Sequence, residues 1–176
     1  FVDRSLVNSR FNIDRDMGIQ FHNKKRLGSV VTKQAFAISQ GEGRNRTSGN
    51  YGGLEYTGRV EVLPFGEFTG KGDYFGSDLK REATPKLSIG VTYDYNDRAA
   101  RERGNLGSYV ADTAYSSLNT AFVDLMFKYN GLSVAAEYAN KQINGDRLVD
   151  AEDNFISNYY TGSGTVVQAG YLLSLI

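Results

Sequence analysis

The one histidine of the chain, His22, is the first residue to ask what chemistry it could do. A nucleophilic triad would need it near a serine on a strained turn, and no Gly-x-Ser-x-Gly occurs. His22 therefore reads as a polar-face residue near the end of a strand. With a single histidine and no cysteine, a metal site would have to be built of carboxylates. The acidic group Asp146, Asp150, Glu152 and Asp153 lacks the Asp-x-Asp-x-Asp-Gly spacing of a calcium loop. Gly41-Glu42-Gly43 and Gly70-Lys71-Gly72 are followed neither by a helical pattern nor by Gly-Lys-Ser/Thr, so they read as turns rather than phosphate cradles. The Asn45-Arg46-Thr47 sequon carries meaning only on a eukaryotic secretory route. The reading therefore expects no catalysis, no metal and no cofactor.

The cations carry more. Arg59 and Lys128 each fall opposite apolar strand neighbours, and Arg98, Arg101 and Arg103 gather on one loop. Rings or ladders of Arg and Lys make a pore favour anions. Arg59 shares its face with Glu61, so ordinary salt bridging within a lumen is the plainer reading of that residue.

The elements that must position these residues follow from composition. Glycine reaches 20, Tyr and Phe number 12 and 10, proline appears twice and tryptophan never, a mixture of strands and turns. The absence of cysteine excludes disulfide frameworks. Twenty basic residues balance twenty acidic ones, and Lys24-Lys25-Arg26 is the longest basic run, so nucleic acid is a poor partner. No stretch approaches the roughly 18 apolar residues of a membrane helix. A membrane strand, however, needs apolar residues on its lipid face only.

Strict alternation marks Lys86 to Tyr95, where Leu87, Ile89, Val91, Tyr93 and Tyr95 oppose Ser88, Gly90, Thr92 and Asp94. Ala121, Val123, Leu125, Phe127 and Tyr129 repeat the pattern, as do Leu132, Val134, Ala136 and Tyr138. Asn130-Gly131 between them suits a type I′ turn, which predicts a hairpin over residues 119 to 140. Weaker strands are predicted over Arg15 to His22, about Ser29 to Ser39, about Leu54 to Leu63, and Thr165 to Ser174, giving seven. Tyr56, Tyr93, Tyr95, Tyr129 and Tyr138 sit where an interfacial aromatic girdle belongs.

Loop lengths separate two all-β readings. A soluble β-sandwich also alternates. With Asn130-Gly131 as a periplasmic turn, however, parity makes Gln40 to Gly53, Asp97 to Leu118 and Lys141 to Gly164 outer loops, and all are polar as outer loops should be. Asn23 to Gly28 then turns on the periplasmic side. Pro64 to Pro85 falls on that side too, and must fold there or hide a short strand pair. An odd strand number and an open edge do not suit lipid. The chain opens at Phe1 with no leader and closes on an apolar strand. It is therefore expected to be part of a larger barrel, lacking both ends.

Five short segments, in this order, resemble landmarks of the phosphate-selective porin O and P family. They are Phe1-Val2-Asp3-Arg4-Ser5-Leu6, Arg15-Asp16-Met17-Gly18-Ile19-Gln20, Gly41-Glu42-Gly43, Leu63-Pro64-Phe65-Gly66 and Val167-Gln168-Ala169-Gly170-Tyr171-Leu172-Leu173. Asp3 stands where the family more usually has Glu. The resemblance implies an outer-membrane barrel of about sixteen strands with an aqueous channel, often trimeric, whose arginines and lysines line an anion path. It also implies that Asp3 to Phe11 is the tail of a loop folded into the channel, with Arg4 near the constriction.

The expectation is an all-β, antiparallel up-and-down transmembrane barrel of which residues 1–176 supply seven to eight strands. Residues 1–14 form an inward-folded loop and 15–176 the strands and loops. Its function would be passive diffusion of small hydrophilic solutes, anions such as phosphate included, across the bacterial outer membrane. Arg4, Arg59 and Lys128 are the anion-path candidates. Arg98, Arg101 and Arg103 form the outer basic cluster. Outer-membrane lipid, small anions, and either a homotrimer or other envelope proteins are the expected partners. The rival reading is a structural or secretion-associated barrel that binds a partner protein with its lumen closed.

Overall fold

Asn130 and Gly131 adopt φ of 48° and 90°, the doubly positive pair that a two-residue hairpin turn requires. They fix the register of the longest hairpin, in which Tyr129 faces Leu132 and Ser117 faces Asn144. The computed structural model describes residues 5–44, 51–110, 115–144 and 159–173. Around that hairpin lie seven strands: β1 (Gly18–Leu27), β2 (Val30–Ser39), β3 (Glu55–Leu63), β4 (Lys86–Ala99), β5 (Ser116–Tyr129), β6 (Leu132–Asn144) and β7 (Gly162–Tyr171). They form one antiparallel sheet in sequence order, an up-and-down meander. β1 and β7 are its outer strands and do not pair with each other, so the sheet is open.

The strand count and order match the sequence reading, but several bounds do not: β4, β5 and β6 extend into the stretches 97–118 and 141–164 expected as loops, β7 spans Gly162–Tyr171 rather than Thr165 to Ser174, and β1 differs most. A turn was expected at Asn23 to Gly28, yet β1 continues through Lys24-Lys25-Arg26 and turns only after Leu27. Alternation accounts for the difference. Lys24 and Arg26 fall on the polar face, where both reach Glu67, and only Lys25 is left on the other. His22 thus lies in mid-strand opposite Ala35, not at a strand end.

The pairing lines up the apolar sets of all strands on one face. Val60, Val91, Val123 and Tyr138 make one rung across β3 to β6, and Leu87, Phe127, Val134 and Ala169 another across β4 to β7. At one end Tyr56 stacks on Tyr95 at 6.5 Å and the Tyr93 hydroxyl donates to Asn119 at 2.8 Å. At the other end Tyr129 and Tyr171 flank Leu132. Asn119, level with Tyr95, and Tyr129 are ten residues apart on β5. At about 3.3 Å per residue and a tilt of about 40° this gives a band about 25 Å tall.

That face is bare: Phe21, Phe36, Val60, Val91, Tyr93 and Val167 are all exposed, and among the described residues no second sheet covers it. A sandwich would bury this face against a partner sheet. The buried residues instead lie on the opposite, polar face, and they include Glu55, Asp94, Lys128 and Lys141. Of the buried apolar residues there, Val31, Leu63 and Phe68 form a small cluster with Met126 beside it. Phe68 belongs to the segment 64–85, which carries a 3-10 element at Thr69–Tyr74 and no strand. Of the two expectations for that connection, local folding is what occurs. No helix among the described residues is long and apolar enough to cross a membrane, which has no bearing on strands that cross.

Candidate functional site

Even-numbered positions of β4 and the residues paired with them form a charged, hydrogen-bonded surface on the polar face. At its centre, Arg59 on β3 reaches across β4 to Asp124 on β5, with Nη1 donating to Oδ2 at 2.6 Å and Nη2 to Oδ1 at 2.9 Å. The same guanidinium donates to Thr92 Oγ1 at 3.0 Å and lies 3.5 Å from Glu61. The residue of β4 that faces both partners is Gly90, level with Glu61 and Asp124. A Cβ there would come within 2.7 Å of both Asp124 carboxylate oxygens and nearer still to Arg59 Nη2, so only glycine lets the bridge pass. The forked guanidinium and the planar carboxylate suit each other's geometry. Salt bridging is therefore the role the geometry gives Arg59.

Lys33 on β2 pairs with Glu61 at 2.8 Å and also with Asp73 of the 64–85 segment, and its ammonium lies 5.1 Å from the centre of the Tyr74 ring. At the turn end of the sheet, Lys24 and Arg26 share Glu67. The Lys24 hydrogen bond is the main cause that holds the Glu67 carboxyl below the usual carboxylate range, with Arg26 adding to it.

Lys128 points to the polar side, as strand parity predicts, but it is not an open lumen cation. Only 1% of it is exposed, and Nζ donates to the carbonyls of Gly72, Phe75 and Ser77 at 2.7, 2.6 and 2.8 Å. An ammonium has three N–H groups, and all three are used. Alternation reveals which way a side chain points, not what folds over it. Further ties hold the same segment. Asp78 accepts from the backbone N–H groups of Glu82 and Gly131, Glu82 accepts from Thr69, and Arg81 donates to the Leu172 carbonyl at 2.8 Å.

At the opposite end the loop after β4 and the segment before β1 fold toward the polar face. Asn105 donates to the buried Glu55 carboxylate at 2.7 Å, and Lys141 donates to the Arg103 carbonyl at 2.7 Å. Helix α1 (Leu6–Phe11) is capped by Ser5, whose hydroxyl accepts from Asn8 N–H at 2.9 Å and donates to Glu137 on β6. Val7, Asn8, Asn12 and Ile13 then share a cavity with Arg59, Asp124 and Glu137, which sets this stretch across the middle of the polar face. Asp14 and Arg44 form a two-point bridge at 2.5 and 2.6 Å, and the Arg44 hydrogen bond lowers the Asp14 carboxyl below its ordinary value.

The expected outer basic cluster separates into individual contacts. Arg98 is still part of β4, in a left-handed conformation with φ 45°, and lies 3.6 Å from Asp97. Arg101 stacks over Tyr109 at 4.4 Å, and Arg103 over Tyr160 at 4.9 Å. Arg4, the acidic group Asp146 to Asp153 and the Asn45 sequon lie outside the described residues. Among the described residues no three His, Asp or Glu side chains are placed to hold a metal ion. Sequence reasoning passed over Arg10 on α1. Val7 and Phe11, one helical turn apart, were the available signal that this stretch is a helix with an inward face.

These features define a class: an open antiparallel meander of amphipathic strands, apolar and bare on one face, charged and partly overlaid on the other. Comparison with family models, with characterised proteins and with solved structures gave no match.

Proposed function

We infer that this chain forms part of an outer-membrane β-barrel porin, whose polar face lines a lumen through which small hydrophilic solutes diffuse, anions such as phosphate among them. The observation that carries the reading is the inversion of the sheet. A continuous apolar face with tyrosines at both ends is left exposed, while ionic groups are held on the other face. Lipid satisfies the first and water the second. A lipid-embedded sheet cannot keep free edges, so β1 and β7 would continue into further strands of a closed barrel.

The ion pairs keep the lumen wall polar without one dominant sign. Arg59, Lys33 and Lys24 each have a carboxylate partner, which favours general solute passage over a strong anion filter. A second reading, a structural or secretion-associated barrel with a closed lumen that binds a partner protein, draws support from one observation. The 64–85 segment and α1 both lie against the polar face. Liposome swelling decides between them. Vesicles carrying the full-length protein should swell in iso-osmotic small sugars and salts at rates that fall with solute size. Vesicles that do not swell would contradict the porin reading and leave the closed barrel.

A further inference from the structure

Cavities on the polar side of the sheet mix cations with carboxylates. Arg59 and Lys33 share one with Glu61, Arg59 shares another with Asp124 and Glu137, and Lys128 shares a third with Asp78 and Glu82. One cavity differs. It lies between α1, the start of β7 and the loop after β4, has a volume of about 330 Å³, and is walled by Leu6, Val7, Phe11 and Tyr160. Among the described residues its charged lining is Arg10 and Arg103, with no carboxylate beside them. Among the described residues neither arginine forms an ion pair.

Both arginines are held from behind. Lys141 fixes the backbone of Arg103, and the Tyr160 ring supports its guanidinium. Arg10 sits in the last turn of α1, which Ser5 ties to β6. Gly164 on β7 makes room for the helix, since a Cβ there would lie 3.0 Å from Phe11 Cε2 and 3.4 Å from Val7 Cγ2.

Two guanidinium groups in one niche repel each other unless an anion joins them, and the planar fork of arginine matches a carboxylate. Inorganic phosphate would neutralise the charge but leave the exposed Leu6 and the half-buried Phe11 facing water. A carboxylate with an apolar body would do both, and the volume lies at the lower end of the range of about 300 to 1,000 Å³ for small-ligand sites. We propose that this cavity is a binding subsite for small carboxylates with an apolar body, benzoate being the simplest, held by Arg10 and Arg103 against the apolar wall of α1. The proposal rests on the porin reading in that such a ligand would be a solute on its way through the lumen.

The test is calorimetric titration of the full-length protein, folded in detergent, with benzoate, acetate and inorganic phosphate as probes. Benzoate should bind saturably and at least about tenfold more tightly than acetate or phosphate, and Arg10→Gln and Arg103→Gln should each weaken it about tenfold with an unchanged circular dichroism spectrum. No saturable benzoate binding, equal affinity for all three anions, or unchanged affinity in both variants would overturn the proposal. Conductance in potassium chloride separates it from the porin reading. A silent protein that binds benzoate keeps the subsite and loses the porin; an open channel that ignores benzoate does the reverse.

Discussion

Replacing Lys128 by Met should loosen the 64–85 segment without dissolving the sheet. Lys128 is 1% exposed, and its ammonium makes three hydrogen bonds of 2.6 to 2.8 Å to backbone carbonyls. Taken singly, bonds from a charged donor contribute about 1.5 to 3 kcal/mol each, but desolvation of the ammonium offsets much of their sum. Methionine fills similar volume and leaves three carbonyls short of a donor. The Asp78, Glu82 and Arg81 bonds and the buried Phe68 remain. A net cost of about 3 kcal/mol follows, felt as local opening. Amide exchange over residues 64–85 should therefore accelerate roughly 150-fold. Lys24→Met serves as the control, because Lys24 touches the same segment through Glu67 with its side chain 52% exposed. That exposed pair is worth less than about 1 kcal/mol, so the control should change exchange by less than about fivefold. Equal protection in Lys128→Met and the unaltered protein would refute the reasoning that Lys128 pins the segment.

Further outcomes follow from the same geometry. Gly90→Ala should force the Arg59 and Asp124 side chains apart at a cost of about 1 kcal/mol in denaturant unfolding, since both are about one-third exposed and screened by water; an unchanged midpoint would mean that the bridge contributes nothing. Val91→Arg on the bare face should cost about 2 to 4 kcal/mol in membrane insertion, whereas Gln20→Arg, at an exposed position of the polar face, should be tolerated; equal penalties would remove the lipid assignment. Asp14 has a folded-state pKa below its ordinary value because Arg44 bonds its charged form. Its contribution is therefore present above the ordinary carboxylate range and is lost as pH falls through the lowered value. An NMR titration should place its inflection below 3.8, and an inflection at or above 3.8 would contradict the bridge.

The parts of the fold that were legible are those where one rule decides. β4 and the β5–β6 hairpin announce themselves through period two and through Asn130-Gly131, whose backbone both residues adopt. The second half of β1 was hidden because three consecutive cations resemble a turn. Glu67, the partner of Lys24 and Arg26, lies 41 residues beyond Arg26, a separation no local pattern reveals. Lys128 shows the same limit from the other side. Its direction follows from alternation, but its partners are carbonyls, which every residue carries and no sequence distinguishes. The Arg59–Asp124 bridge needed the register that sets Gly90 between them. Arg10 was missed because a six-residue helix carries a weak periodic signal, and its significance lies in a cavity built from three separate segments whose described lining holds no carboxylate.

On the porin reading, the charged face of this sheet lines an open, water-filled pore. The most direct measurement is the conductance of the full-length protein in planar bilayers under a salt gradient, with chloride and phosphate compared. Discrete, stable open steps in potassium chloride are expected, with a reversal potential that shifts toward anions when Asp124→Asn removes the two-point partner of Arg59. A protein that inserts but conducts nothing in either salt would contradict that reading.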